Sequence, residues 1–404
     1  MDQEHSPPRQ PLTGVVVLDT TTVIGGPIMG AILADFGARV IKIEPPGKGD
    51  DGRKLGKSGK GTYFKFMARN KECVTCSLAT SEGQELFRKL ASKADVVLSA
   101  FRPGSMEKWG LGYEDLSALN PRLILLQLSG FGQQGPNSRR PGYGALAEAM
   151  SGLVYLTGEQ DTKPFLPGAP IADPMAASMG ALAVLLALRQ RDTGPQPGRG
   201  QQIDISLYDP LLYVMGSYIT ECSYSGISPS RGDQLGKRIL RDIANSRDGQ
   251  WLVFSVISGA LIGKVDQFLR ARGLELHGDG EYTIDTPTER FVEAGGALKK
   301  WIAGVDRSVA LTELEAFGIP VAPVYRIGDL FDDEHFNARG DFIRVVDDDL
   351  GELVMPRSPF KLSDGAATVR YTGRRLGADN RSVYRDWLGL SEHELQEFAA
   401  KGII

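Results

Sequence analysis

Asp173 is an isolated acid at the point where Pro167-Gly-Ala-Pro-Ile-Ala-Asp173-Pro-Met175 runs into the apolar stretch 176–188. No histidine occurs between His5 and His277, so this carboxylate has no imidazole near it in sequence to shuttle protons. Such a group suits a covalent nucleophile better than an acid–base pair. Asp before Pro is also a common way to open a helix, with the carboxylate as cap and the proline at the first helical position. The two roles are compatible, because a helix N-terminus stabilises the charge that a nucleophile needs. Behind it, Gly198-Arg-Gly-Gln-Gln-Ile-Asp-Ile-Ser206 reads as a turn into a strand.

A second set of residues is basic. Arg53, Arg69, Lys71, Arg102 and Lys108 fall near predicted strand ends, and parallel sheets bind ligands beyond the carboxyl ends of their strands. Phe101 offers a face to a planar ring and Arg102 a fork to a phosphate. Together they point to an adenosine–phosphate ligand; singly, each reads as solvated charge. Tyr143, in Arg140-Pro-Gly-Tyr143, reads equally as a ligand contact or a core aromatic. The stretch Val17–Glu44 has the strand–turn–helix–strand–acid order of a dinucleotide unit. Its turn, Gly25-Gly-Pro-Ile-Met-Gly30, lacks the Gly-x-Gly-x-x-Gly spacing, which argues against a nicotinamide enzyme. Cys73-x-x-Cys76 has no second half of a zinc site and reads as two ordinary thiols.

These groups require a scaffold of alternating strands and helices. Segments 15–19, 39–44, 73–78, 95–99 and 123–128 read as buried strands. A Gly25-Gly-Pro turn is expected before a helix over 28–36, and Ser81 before a helix over 82–93. The alternation predicts an α/β fold with a mostly parallel sheet. A helix over 209–222 leads into a polar linker, 224–234; a strand over 249–256 and a helix over 262–272 then begin a smaller domain. Segment 318–325 reads as a strand returning to the first domain, and 388–398 as a terminal helix. The expected division is 1–224, 225–311 and 312–404.

The 404 residues carry a formal charge of −4, with 42% hydrophobic and 24% charged residues. Nothing global attracts nucleic acid or an anionic membrane. The run 176–188 is too short to span a bilayer, and the polar N-terminus has no signal-peptide core. With three cysteines, a reducing cytoplasm is the expected location.

The order of several motifs resembles the class III CoA-transferase family, which includes formyl-CoA:oxalate and carnitine CoA-transferases and the related α-methylacyl-CoA racemases. They are Leu12–Asp19, Leu33–Pro45, Arg69-Asn-Lys71, Phe101-Arg-Pro-Gly104, Gly110-Leu-Gly-Tyr113, Asn120-Pro-Arg-Leu123, Ser129-Gly-Phe-Gly132, Arg140-Pro-Gly-Tyr143, Gly198-Arg-Gly-Gln201 and Leu388-Gly-Leu-Ser391. The resemblance implies a Rossmann-like large domain built from both chain ends, a small domain between them, and a homodimer of interlocked rings. It implies that Asp173 is the nucleophile and that coenzyme A is a substrate, with no permanently bound cofactor and no metal. Its CoA-contacting positions correspond here to Ile24, Gly25, Ala68, Arg69, Asn70, Lys71, Ala100, Phe101, Arg102, Lys108 and Tyr143. The position after Glu44, often basic in formyl-CoA transferases, is Pro45, with Arg53 a substitute. The glycine run that covers the aspartate in those enzymes has only Ser255–Gly259 as a counterpart.

The racemase branch requires a histidine where this chain has Tyr143, and tyrosine is a poor base near neutral pH. A non-catalytic CoA-binding protein is a further alternative. Arg140, Arg238, Arg241 and Lys264 are candidates for the second carboxylate of a dicarboxylic acid, which makes succinyl-CoA the expected donor.

Overall fold

The computed structural model describes residues 10–195, 197–232, 240–274 and 288–404. Arg238, His5 and His277 lie outside the described residues. The chain divides into two compact units.

The first unit holds a six-stranded parallel sheet. Its strands are β1 (Val16–Asp19), β2 (Arg39–Glu44), β3 (Lys71–Thr75), β4 (Val96–Ser99), β5 (Ile124–Ser129) and β6 (Gln202–Ser206), in the order β3-β2-β1-β4-β5-β6. Strands such as Val-Val-Leu-Asp and Ile-Leu-Leu-Gln-Leu-Ser are apolar without alternation because both faces are covered. Val17 packs on one face against Met29 and Leu33 of helix α1 (Gly25–Asp35). Leu18 packs on the other against Leu86 and Phe87 of α2 (Ser81–Ala91). Each such side chain, once buried, contributes roughly 1.5–3 kcal/mol.

Helices after β5 include α3 (Gly144–Met150), α4 (Ala172–Thr193) and α5 (Asp209–Val214). The helix expected over 209–222 breaks at Met215, and α6 (Gly216–Ser225) continues it. At 22 residues, α4 is long and apolar enough to cross a membrane by length and composition, unlike the shorter run read from sequence. Its buried face is engaged with protein: Gly180 lies against Met29, and Arg191 is buried on Asp95 at 2.8 Å.

The C-terminal stretch from Arg339 belongs to this unit. It forms an antiparallel hairpin (Phe342–Asp347 with Gly351–Pro356) and then covers the open edge of β3. Asp379 accepts from the Cys73 amide at 2.8 Å and Asn380 from the Thr75 amide at 2.9 Å. Side chains thus satisfy donors that an edge strand would leave bare.

The second unit comprises residues 158–163 and 228–338. It has a three-stranded antiparallel sheet, Leu240–Asn245 with Trp251–Val256 with Val321–Pro323, backed by helices Gly259–Arg270, Thr288–Ala303 and Arg307–Ala316. This corrects the expected boundary at 311. The strand read at 318–325 pairs with Trp251–Val256 and closes the small sheet; the return to the first unit comes at Arg339.

Candidate active site

β1 and β4 are neighbours whose connections run in opposite directions across the sheet, and ligands bind beyond the strand ends at such a switch point. The loop after β1 enters α1 through Val23, which has φ 73°. A β-branched residue in the left-handed region is strained, and such strain concentrates at functional sites. Ile24 then caps α1, and Gly25 and Gly26 lie within its first turn instead of the turn before it. A Cβ on Gly26 would fall 2.1 Å from the Thr21 side chain; glycine permits this close approach.

Asp173 is the second residue of α4 and half-buried. It is not the cap expected from the Asp-Pro pair: Ile171 occupies that position, with no side-chain cap bond. Freed from that task, the carboxylate turns to α1 and accepts from the Gly25 amide at 3.2 Å. A Cβ on Gly144, the first residue of α3, would lie 2.3 Å from Asp173 Oδ2. Two glycine backbones therefore cradle the carboxylate. Burial pushes its pKa above the ordinary aspartate value; the Gly25 amide opposes this, and the charge of Glu148 reinforces it.

Gly144 and Glu148 were missed by sequence reasoning. Glu148 lies on α3, is 3% exposed, and accepts from the amides of Ile171 at 2.8 Å and Ala172 at 3.1 Å. The available signal was one charge in the otherwise apolar helix Gly-Ala-Leu-Ala-Glu-Ala-Met.

The residues expected to hold CoA separate into two groups. Ile24 and Gly25 follow β1; Ala100, Phe101 and Arg102 follow the adjacent β4. Arg102 and Lys108 are exposed, and Phe101 is half-buried with its ring edge-on to Trp109 at 5.0 Å. Tyr143 caps α3 beside Gly144 and is 69% exposed, which excludes the core reading.

The side chains of Arg69, Asn70 and Lys71 are engaged elsewhere. Arg69 pairs with Asp35 at 2.6 Å and Asn70 donates to the same carboxylate at 2.9 Å. Asp35 ends α1, so it sits about 15 Å of helix rise from Gly25. Lys71 is fully buried, with Nζ 2.7 Å from Asp19 and 2.6 Å from the Pro27 carbonyl in the first turn of α1. It braces the site from beneath. Ala68 is buried beside Phe64. Arg53 is held by Glu44 at 2.6 Å. Burial raises the Cys73 and Cys76 thiols to about 12, as inert core cysteines require.

Arg140 is exposed, donates to Asn137 at 3.2 Å, and stands three residues before Tyr143. Arg241 and Lys264 belong to the second unit, as does Ser255–Gly259, where Ser258 caps helix Gly259–Arg270.

A family model described as CoA-transferase family III matches residues 12–380. A succinyl-CoA–D-citramalate CoA-transferase of Chloroflexus aurantiacus is 38% identical, covering 98% of this chain and 99% of its own. A succinyl-CoA–L-malate CoA-transferase alpha subunit of the same organism is 34% identical over 98% of this chain and 92% of its own. The crystal structure of a CaiB/BaiF family protein from Brucella suis superposes with a TM-score of 0.82 at 30% identity, covering 94% of this chain and 99% of that one.

Proposed function

This chain belongs to CoA-transferase family III, whose members move coenzyme A from an acyl-CoA to a carboxylic acid, and we propose that it does so through covalent intermediates on Asp173. The observation that carries this reading is the Asp173 carboxylate itself, cradled by Gly25 and Gly144 at the N-terminus of α4. Asp173 attacks the thioester carbonyl, forming a mixed anhydride and expelling CoA thiolate. The thiolate attacks the aspartyl carbonyl, giving an aspartyl-CoA thioester and releasing the donor acid. The acceptor carboxylate attacks that thioester and expels thiolate again. Thiolate then takes the acyl group of the second anhydride and regenerates Asp173. No proton is gained or lost across the cycle, so the missing imidazole is no handicap. Main-chain amides at helix N-termini supply hydrogen bonds to the oxyanions.

The large unit is Rossmann-like in strand order, and CoA lies along Ile24–Gly25 and Ala100–Arg102, with Lys108 and Tyr143 at its edges. Donor and acceptor are dicarboxylic acids. Support comes from the exposed Arg140 beside Tyr143 and from the succinyl-CoA activities named for two relatives. A screen of acyl-CoA donors against carboxylic acids, read by mass spectrometry, should give succinyl-CoA with four- or five-carbon dicarboxylates rates at least about tenfold above monocarboxylic pairs. A preference for monocarboxylic pairs would remove the dicarboxylate reading.

Two copies pair as interlocked rings. The chain leaves the first unit at Ile227, builds the second, and returns at Arg339, an excursion that a partner can thread. Leu182, Leu186, Tyr213 and Tyr224 on α4–α6 are exposed, the last two at 81% and 90%, an apolar surface that a monomer would leave in water. Sedimentation velocity across a dilution series, with circular dichroism on the same samples, should show dissociation only with unfolding. A folded monomer at low concentration contradicts interlocking.

A further inference from the structure

The first amides of a helix have no partner within it, and no side chain of its own N-terminal residues caps α4. Glu148 supplies the acceptor from α3, through one carboxylate oxygen shared between the Ile171 and Ala172 amides. A buried carboxylate is costly unless paired, yet no lysine or arginine pairs with Glu148 among the described residues. A neutral acceptor would satisfy the same two amides, so the charge calls for a separate explanation.

We propose that Glu148 is a positioning residue: it fixes the first turn of α4, and with it the Asp173 carboxylate, while placing a second negative charge behind the nucleophile. This inference rests on the reading of Asp173 given above. Negative charge behind a carboxylate destabilises its ionised ground state. That repulsion is relieved as Asp173 passes its electron pair to the thioester carbonyl and becomes a neutral anhydride. Glu148 is the only ionisable residue of α3. Elsewhere around Asp173, the first turn of α1 carries no charge, that of α4 carries only Asp173, and β5 ends in Leu128 and Ser129. Tyr143 caps α3. On β6, Asp204 accepts from the Gln133 amide, and Asp209 of α5 accepts from the Ser206 amide. The direction of the Asp173 shift agrees, since Glu148 adds to the rise.

Glu148→Gln keeps the acceptor and removes the charge; Glu148→Ala removes both. The measurement is kcat and kcat/KM for CoA transfer from succinyl-CoA across pH, with Asp173→Ala as control. Glu148→Gln should move the acid limb of kcat/KM to lower pH by roughly half a unit or more. Its plateau kcat should exceed that of Glu148→Ala by at least about tenfold, with KM for acyl-CoA changed less than about threefold. An unmoved limb in Glu148→Gln, or equal kcat in the two variants, overturns the proposal while Asp173→Ala remains inactive. If Glu148→Ala fails to fold, the Glu148→Gln limb decides alone. Transfer retained in Asp173→Ala overturns instead the nucleophile reading, and this inference with it.

Discussion

Asp173→Ala lowers kcat for CoA transfer by at least roughly 10³-fold, the scale on which loss of a covalent nucleophile is felt, and leaves the protein folded and able to bind CoA. The neighbouring Glu148 cannot take over: it is buried on two backbone amides and fixed on α3. Stability should not suffer. The Asp173 side chain caps nothing on its own helix, so the roughly 1 kcal/mol that a lost cap would cost does not apply. Its pKa is raised by folding, chiefly by burial. A raised aspartate is penalised when ionised; the penalty is absent below its unfolded-state pKa and fully present above the folded one. Asp173→Ala should therefore unfold at the same or a higher denaturant concentration than the parent at pH 8, and lose that advantage in acid. Transfer at near-parental rate would remove Asp173 as the nucleophile.

Lys71→Ala and Arg102→Ala should fail in opposite ways, although both began as candidate CoA contacts. Lys71 is fully buried against Asp19. Burial opposes the charge on Asp19, but Lys71 and Lys42 together hold its carboxyl below the ordinary range. Removing Lys71 strands that carboxylate in the core, at a cost of roughly 3–5 kcal/mol, reduced toward the lower figure by Lys42. The first turn of α1 also loses its bond at the Pro27 carbonyl. Arg102 is exposed beside Phe101, so its loss should leave stability unchanged and weaken CoA binding by roughly 1–3 kcal/mol. Urea unfolding and calorimetry with CoA separate the two. Unchanged CoA affinity in Arg102→Ala would mean that the phosphate end of the site lies elsewhere; unchanged stability in Lys71→Ala would contradict its bracing role.

The parallel strands were legible because a strand covered on both faces is rich in apolar residues, and Arg39–Glu44 was read to the residue although Lys42 interrupts it. Direction was less legible. Arg69 and Lys71 announce charge and Asn70 a polar amide, but nothing local says that Asp35 and Asp19, dozens of residues earlier, will claim them. The start of α1 was misread for a related reason: Gly25 and Gly26 look like a turn, whereas their missing side chains admit Asp173 and Thr21 inside a helical turn. Segment 318–325 reads as a buried strand returning to the large sheet, whereas Val321–Pro323 is only partly buried and its pairing with Trp251–Val256 assigns it to the small unit. Asp173 was found because it is isolated in sequence. Gly144 and Glu148 were not, because their meaning lies in their contacts with the first turn of α4 and its carboxylate.

The most direct test of the central claim is the chemical state of Asp173 during turnover. Enzyme mixed with succinyl-CoA is quenched with hydroxylamine, or with borohydride, digested, and analysed by mass spectrometry. The covalent route predicts an aspartyl hydroxamate, or the corresponding reduced side chain, on the peptide carrying Asp173, dependent on acyl-CoA and absent from Asp173→Ala. An unmodified Asp173 peptide, under conditions that trap the adduct in a transferase of known covalent mechanism, would contradict it.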